Sequence, residues 1–383
     1  MGSVSRKVKE FNASRASEKG RFKDFVRPIG KLYWFHCASL GEYEQVKPVI
    51  QELKKRDGNF TIITFFSPSG YEILKQKNLA DTYITYLPLE DKKTINQFIE
   101  RVKPDQVFWV KYEFWLVALE AIFSHKAPCY LISANFTPHH FVTRIWADPW
   151  RILLKKFTQI FVQNESSRKV LEGIGVKSTI AGDTRFDNVK ILASEGYVNI
   201  ELASWKGNDF LIVAGSSWKG EEDRLISFLI ANPSIKSLIA PHDISKANIQ
   251  HLSERLRTAG INYSFWDQRY DIRSQVIVIN GIGALNKVYK YANIAYVGGG
   301  YKKGLHNILE PMAWGIPVMT GPNIENNWEA LEAKNEGLLF VVNNQSDIEG
   351  ICNKVLSADS YATNTMDFVS KYGRASETIL DTV

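Results

Sequence analysis

Residues 35–42, Phe35-His36-Cys37-Ala38-Ser39-Leu40-Gly41-Glu42, run from an apolar strand through a small-residue turn into Gly-Glu at the head of a helix. Residues 213–221, Val213-Ala214-Gly215-Ser216-Ser217-Trp218-Lys219-Gly220-Glu221, repeat that plan. Outward from the first copy, strand candidates fall at 32–37, 60–66, 83–87, 106–110, 129–133 and 159–163. Helical stretches lie between them. Val46, Val49, Ile50 and Leu53 form an i, i+3, i+4, i+7 stripe, and 113–123 reads the same way. Continuous apolar strands alternating with helices indicate α/β architecture, a parallel sheet covered on both faces. A polar stretch at 194–209 interrupts the rhythm and reads as a linker near residue 200. The alternation then restarts, with strands near 210–214, 237–240, 275–279, 294–297 and 316–320 and helices near 220–231, 245–258, 284–291 and 346–358. Two doubly wound halves are expected, with ligands beyond the carboxyl ends of the strands and the halves facing a cleft.

Composition narrows the function classes. The chain has 383 residues, 45% hydrophobic and 23% charged, values of a folded globular protein. No run of 18 apolar residues occurs, so no spanning helix is expected. Cys37, Cys129 and Cys352 are scattered and odd in number, which fits reduced thiols. There is no C-x-x-C, and the only close histidine pair, His139-His140, is adjacent and a poor metal chelate. No metal site is expected.

The net charge of +6 is localised. Residues 1–31 hold nine Lys/Arg against three Asp/Glu, and the rest of the chain balances. A nucleic-acid binder would spread its cations over a folded face, so nucleic acid is not an expected partner. A polybasic leader suits an anionic membrane surface; the alternative is a solvated tail. Phe11, Phe22, Phe25 and Val26 are interleaved among its cations as apolar groups for docking. Met1-Gly2-Ser3 resembles a cloning scar, which leaves room for a natural N-terminal anchor to have been removed.

Four motifs carry chemistry. In Ser39-Leu40-Gly41-Glu42 the carboxylate is either a general base beside the ligand or the closing member of a capping box with Ser39. Lys111-Tyr112-Glu113-Phe114-Trp115 follows a strand directly, where Glu113 either meets a ligand or caps a helix. In Gly182-Asp183-Thr184-Arg185-Phe186-Asp187, Arg185 either neutralises an anion or pairs with Asp183 or Asp187. The strongest is Tyr296-Val297-Gly298-Gly299-Gly300, followed by Gly304-Leu305-His306-Asn307-Ile308-Leu309-Glu310-Pro311 and Gly315-Ile316-Pro317-Val318. Its glycines are expected to let backbone amides approach an anion at a helix N-terminus. Asn307 and Glu310 match a capping box, although Glu310 is also placed to bind a ribose diol. No P-loop, G-x-G-x-x-G, Asp-x-Asp or Gly-x-Ser-x-Gly occurs.

In order, HCASLGE (36–42), KYEFW (111–115), FVQNESS (161–167), GDTRFD (182–187), AGSSWKGEE (214–222), APH (240–242), VGGGYKKGLHNILEP (297–311) and GIPVMTGPNIEN (315–326) resemble the 3-deoxy-D-manno-oct-2-ulosonic acid (Kdo) transferases. The resemblance implies a GT-B fold: a leader at 1–31, an acceptor-binding Rossmann-like domain at 32–195 and a donor-binding one at 208–383. The last helix is a candidate to pack back on the first domain. It implies transfer of Kdo from CMP-Kdo to a lipid A precursor at the cytoplasmic face of the bacterial inner membrane, with no cofactor or metal. Carried over by position, Glu42 matches the family's general base, and Glu113 and Arg185 its transition-state stabilisers. CMP contacts fall on Ser216, Pro241, His242, Ile282, Gly283, Ala284, Asn307, Ile308, Leu309 and Glu310. Three residues depart from the usual pattern. His242 stands for arginine, so its charge depends on protonation; Ala284 stands for glutamate; and Arg185 stands for lysine, with planar geometry. The leaving CMP phosphate needs positive potential rather than a general acid, with Arg185, Lys302 and Lys303 as sources. One base and direct displacement imply inversion. A GT-B enzyme using a UDP- or GDP-sugar, or a non-catalytic nucleotide- or lipid-binding scaffold, are the alternatives.

Overall fold

The computed structural model describes residues 15, 21–57, 59–77, 79–88, 91–111, 114–267, 271–301, 304–358 and 360–383, without the side chains of Arg21, Asp57 and Ile145. The chain splits into two compact units, Met1–Asn188 with Tyr372–Val383, and Val189–Lys371. In the first, β1 (Leu32–Cys37), β2 (Phe60–Phe65), β3 (Thr82–Tyr86), β4 (Gln106–Val110), β5 (Cys129–Ala134), β6 (Gln159–Val162) and β7 (Thr179–Ile180) form a sheet in the order β3-β2-β1-β4-β5-β6-β7. The second holds β8 (Leu211–Ser217), β9 (Lys236–Pro241), β10 (Tyr263–Phe265), β11 (Val276–Val278), β12 (Ile294–Val297), β13 (Val318–Thr320) and β14 (Leu339–Val341), ordered β10-β11-β9-β8-β12-β13-β14. Every pairing is parallel.

All six residues of β1 are buried, as a strand between two helical layers requires. Its alternate side chains serve different cores. Trp34 packs edge-on against Trp109 and Phe98 on one face. On the other, Phe35 stacks on Phe108 with ring centroids 4.6 Å apart. In each sheet the strand order reverses once, between β1 and β4 and between β8 and β12. A crevice opens at such a switch point, outside the carboxyl ends of the strands.

The structure corrects three expectations. Residues 194–209 are not a free linker: Ile200–Lys206 is a helix that buries Leu202 and Trp205, and the units divide earlier, after Asn188. The helix placed at 113–123 runs Leu116–Ser124. The apolar groups of the leader are not all available to a membrane. Residues 1–14 and 16–20 lie outside the described residues, but Phe22 and Phe25 are buried in the first unit. Phe22 meets Phe98 edge-on at 5.5 Å, and Phe25 lies 4.9 Å from Tyr83. Arg101 Nε donates to the Phe25 carbonyl at 2.7 Å, and Arg27 pairs with Asp105 at 2.8 Å. Arg15 donates to the carbonyls of Phe66 and Leu87. Val26 and Ile29 stay exposed.

Removing a buried phenylalanine costs its transfer free energy plus that of the cavity left behind. Phe22→Ala should therefore lower stability by about 3 kcal/mol in urea denaturation. An unchanged midpoint would mean that this segment only rests on the surface.

Candidate active site

In the first unit, β1 feeds a two-residue turn and the helix Leu40–Asp57. Glu42, 9% exposed, is the third residue of that helix. Its carboxylate accepts from the Ala38 N–H. A capping box would take the amide of Ser39, so the expected cap is displaced one residue upstream and the carboxylate lies against the strand end. Its place in the first turn favours the ionised form.

Two neighbouring strands end in left-handed residues, Lys111 (φ 56°) after β4 and Ser133 (φ 54°) in β5. Lys103, which also has positive φ, is an ordinary helix C-cap. Lys111 and Ser133 have no such cause, and strain of this kind gathers at functional sites. The Lys111 amide donates to Ile132 at 2.9 Å, and the Ser133 hydroxyl is 2.7 Å from that of Thr184. Glu113 lies outside the described residues. Beyond β7, Asp183 is fully buried and accepts from the Arg185 amide at 2.9 Å, its Nε at 2.7 Å and its Nη2 at 2.6 Å. Arg185 is thus held by a partner within the chain, the ion pair that its sequence neighbours allowed. Its side chain is 26% exposed.

In the second unit, Ser216 near the end of β8 is left-handed (φ 51°). A Cβ on Gly298 would lie 2.1 Å from the Ser216 carbonyl oxygen, and one on Gly299 (φ 92°) would lie 2.2 Å from that of Gly304. The glycines are required by backbone approach. The expectation that these amides reach a ligand anion is corrected at Gly299. Its N–H donates at 3.0 Å to Glu221 Oε1, and Glu221 Oε2 accepts from the Trp218 N–H at 3.2 Å. Glu221 is 3% exposed and supplies that anion internally.

The capping box of Asn307 and Glu310 does not form either. The short helix Leu309–Ala313 begins after Ile308, Asn307 Oδ1 accepts from Leu309 N at 3.1 Å, and Asn307 Nδ2 donates to Glu310 Oε1 at 3.2 Å. Ile308 and Leu309 are buried. Burial, and then the charge of Glu310, hold the Tyr289 phenol well above its usual pKa. Pro241 ends β9 in the interior, and the exposed His242 donates its amide to Ser217 at 2.9 Å. After β11, Ile282 is 93% exposed, Gly283 is left-handed at φ 93°, and Ala284 caps the turn Leu285–Val288. Lys302 and Lys303 lie outside the described residues.

Residues 11–188 match the family described as 3-Deoxy-D-manno-octulosonic-acid transferase (kdotransferase). The 3-deoxy-D-manno-octulosonic acid transferase of Aquifex aeolicus is 30% identical over 343 residues, 88% of this chain and 89% of that protein. The chain belongs to the Kdo transferase family. Its counterpart in Chlamydia trachomatis serovar D is 26% identical over 339 residues, 82% of this chain and 76% of that one. A UDP-GlcNAc 2-epimerase from Neisseria meningitidis, solved with UDP-GlcNAc bound, shares the fold at a TM-score of 0.65 and 18% identity, covering 92% of this chain and 98% of that chain. The fold is of the GT-B class. This Kdo transferase is a glycosyltransferase of lipopolysaccharide biosynthesis, whose reaction takes a Kdo donor and a lipid acceptor.

Within the Kdo transferase, some of the residues nominated from sequence sit where each sheet reverses, whereas Arg185 follows the edge strand β7, His242 follows β9 and Ile282 to Ala284 follow β11. Glu42 follows β1 and Lys111 follows β4; Ser216 ends β8 and Gly298 follows β12. No helix among the described residues is long and apolar enough to cross a membrane. Sequence reasoning missed Glu221. The signal was present in the repeated plan, since Gly220-Glu221 occupies the place of Gly41-Glu42. Glu221→Ala leaves the buried Gly299 amide without this acceptor, at about 1–3 kcal/mol, and the half-buried Trp218 amide as well. Its melting temperature should fall, and Glu221→Gln, which keeps one acceptor oxygen, should recover part of the loss. Equal melting of Glu221→Ala and the parent would contradict the internal-anion role.

Proposed function

We propose that this Kdo transferase moves Kdo from CMP-Kdo to a hydroxyl of a lipid A precursor, with inversion at the anomeric carbon and Glu42 as general base. The acceptor oxygen forms the new bond to the anomeric carbon as the bond to the phosphate oxygen breaks. The electron pair leaves on CMP, and the hydroxyl proton passes to the Glu42 carboxylate. The observation that carries this reading is the contrast between the two Gly-Glu helix starts. Glu221 accepts from its N-cap amide and from Gly299. Glu42 accepts from Ala38, outside the cap position, at the carboxyl end of a central strand.

Donor binding is assigned to Ser216, Pro241, His242, Ile282, Gly283, Ala284 and Asn307–Glu310, which lie at or beyond the carboxyl ends of β8, β9, β11 and β12. Glu310 takes the ribose diol, its carboxylate oriented by Asn307. Glu113 and Arg185 are assigned to the transition state, and the Asp183 pair fixes the plane of the Arg185 guanidinium. No cofactor is assigned. The protein is placed peripherally at the cytoplasmic face of the bacterial inner membrane, on anionic lipid. Phe22 and Phe25 belong to the core and Arg15 is held by the Phe66 and Leu87 carbonyls, so Lys23, Val26 and Ile29 are the described leader residues assigned to that contact.

Glu42→Ala should reduce transfer by about 10²–10⁴-fold, the worth of a general base, with unchanged CMP affinity and a cooperative melt. Near-parental turnover in the folded variant would remove Glu42 from the chemistry. Glu310→Gln should weaken CMP binding in calorimetry by roughly 1.5–3 kcal/mol, the range for a hydrogen bond to a charged group. Unchanged affinity would return Glu310 to a local structural role.

A further inference from the structure

Arg185 follows an edge strand of two residues, β7, which gives the turn after it little backbone support. The amides of Ala181 and Gly182 both donate to the Val162 carbonyl, at 3.0 and 3.3 Å. The chain then doubles back, and the Thr184 hydroxyl meets that of Ser133, in β5, at 2.7 Å. The Asp183 pair fixes the Arg185 guanidinium relative to its own turn. Holding that turn relative to Glu42 takes a further contact.

Tyr372–Val383 supplies it. This segment belongs to the first unit, although the chain reaches it only after the second. A Cβ on Gly182 would lie 3.5 Å from the Ala375 Cβ and 3.6 Å from the Tyr372 carbonyl oxygen, so the turn rests directly on the segment. Phe186, fully buried, meets the Tyr372 ring with centroids 5.4 Å apart. Asp187 Oδ2 accepts from the Ala375 N–H at 3.1 Å. Ala375 opens the helix Ala375–Leu380, whose N-cap residue, Arg374, makes no side-chain capping bond. The first amides of a helix need an acceptor from outside it, and here another helix provides one.

The same short helix reaches the helix that carries Glu42. Ile379 and Leu380 are buried in one core with Tyr43, Val46, Val49, Ile50 and Leu53. Arg56 Nη1 pairs with Asp381 at 2.9 Å. The two longer helices are also joined directly, where Asn188 Nδ2 donates to Glu44 Oε2 at 3.3 Å. Helices Leu40–Asp57, Thr184–Ser194 and Ala375–Leu380 are thus tied pairwise. A closed triangle of this kind fixes the head of the first, with Glu42, relative to the head of the second, with Arg185.

We propose that Asp187 is a positioning residue: through the Ala375 amide it locks the Arg185 turn onto the returning segment, and so holds Arg185 in register with Glu42 for the transfer step. This rests on the assignments of Glu42 and Arg185 above. All of these contacts lie in the first unit, so the effect falls on turnover and not on nucleotide affinity, which is assigned to the second.

The test measures transfer from CMP-Kdo to a lipid A precursor by the full chain, beside CMP binding in calorimetry. Asp187→Ala should lower kcat by about tenfold to a hundredfold, the scale of an ångström's misplacement, with KM for CMP-Kdo and CMP affinity unchanged. Asp187→Asn, which keeps an acceptor oxygen, should recover most of that turnover. In an Arg185→Ala background, Asp187→Ala should cost no further turnover, because its effect passes through Arg185. Tyr372→Ala loosens the same segment from Phe186 and is the second variant should Asp187→Ala fail to melt cooperatively; the same coupling to Arg185 is expected. Parental turnover in Asp187→Ala, a change in KM in place of kcat, an equal loss in Asp187→Asn, or a full further loss in the Arg185→Ala background overturns the proposal while the Arg185 assignment stands. Parental turnover in Arg185→Ala overturns both.

Discussion

A side chain at position 298 would meet the Ser216 carbonyl at 2.1 Å, and the second unit is organised by that exclusion. The ends of β8 and β12 must approach this closely because they are hydrogen-bonded neighbours at the point where strand order reverses. With the backbones in contact, the Gly299 amide has no solvent to turn to and must find an acceptor within the chain. Glu221 provides it from the first turn of the adjoining helix, where the backbone dipole favours a carboxylate. A tight crossing therefore fixes the glycines and a buried carboxylate together. The residues proposed to bind the nucleotide, Ser216, His242 and Asn307–Glu310, lie at or beyond strand ends in the same unit.

The first unit uses the same plan differently. Its Gly-Glu also opens a helix after the first strand, yet no glycine-rich partner strand crosses it, and β4 ends in the strained Lys111. Glu42 accepts from Ala38, within its own strand–turn segment. One local sequence thus has a structural outcome in one half and a catalytic assignment in the other. What separates them is the neighbouring strand at the switch point, not the turn itself.

Much of the fold was legible because central parallel strands read as unbroken apolar runs, as at 32–37 and 106–110, and their helices keep a clear stripe. What escaped was short or marginal. β7, β10 and β14 have two or three residues at or next to the sheet edges, too brief for any periodicity. The helix Ile200–Lys206 hides in a polar stretch because Leu202 and Trp205 are its only two buried residues. At the site, residue types named the right places and misjudged the bonds. Asn307 and Glu310 have capping-box spacing, but the helix begins one residue late and their side chains bond each other. The rings of Trp218, His242 and His306 meet from three separate segments, and no spacing along the chain reveals such a contact.

The central claim is that Kdo is the group this chain transfers and CMP-Kdo its proposed donor. The most direct measurement is the mass of a lipid A precursor after incubation with the protein and CMP-Kdo, set beside parallel incubations with UDP- and GDP-sugars. The account predicts acceptor mass increased by whole Kdo residues with CMP-Kdo alone, together with released CMP. An acceptor unchanged by CMP-Kdo but extended from a UDP- or GDP-sugar would contradict it.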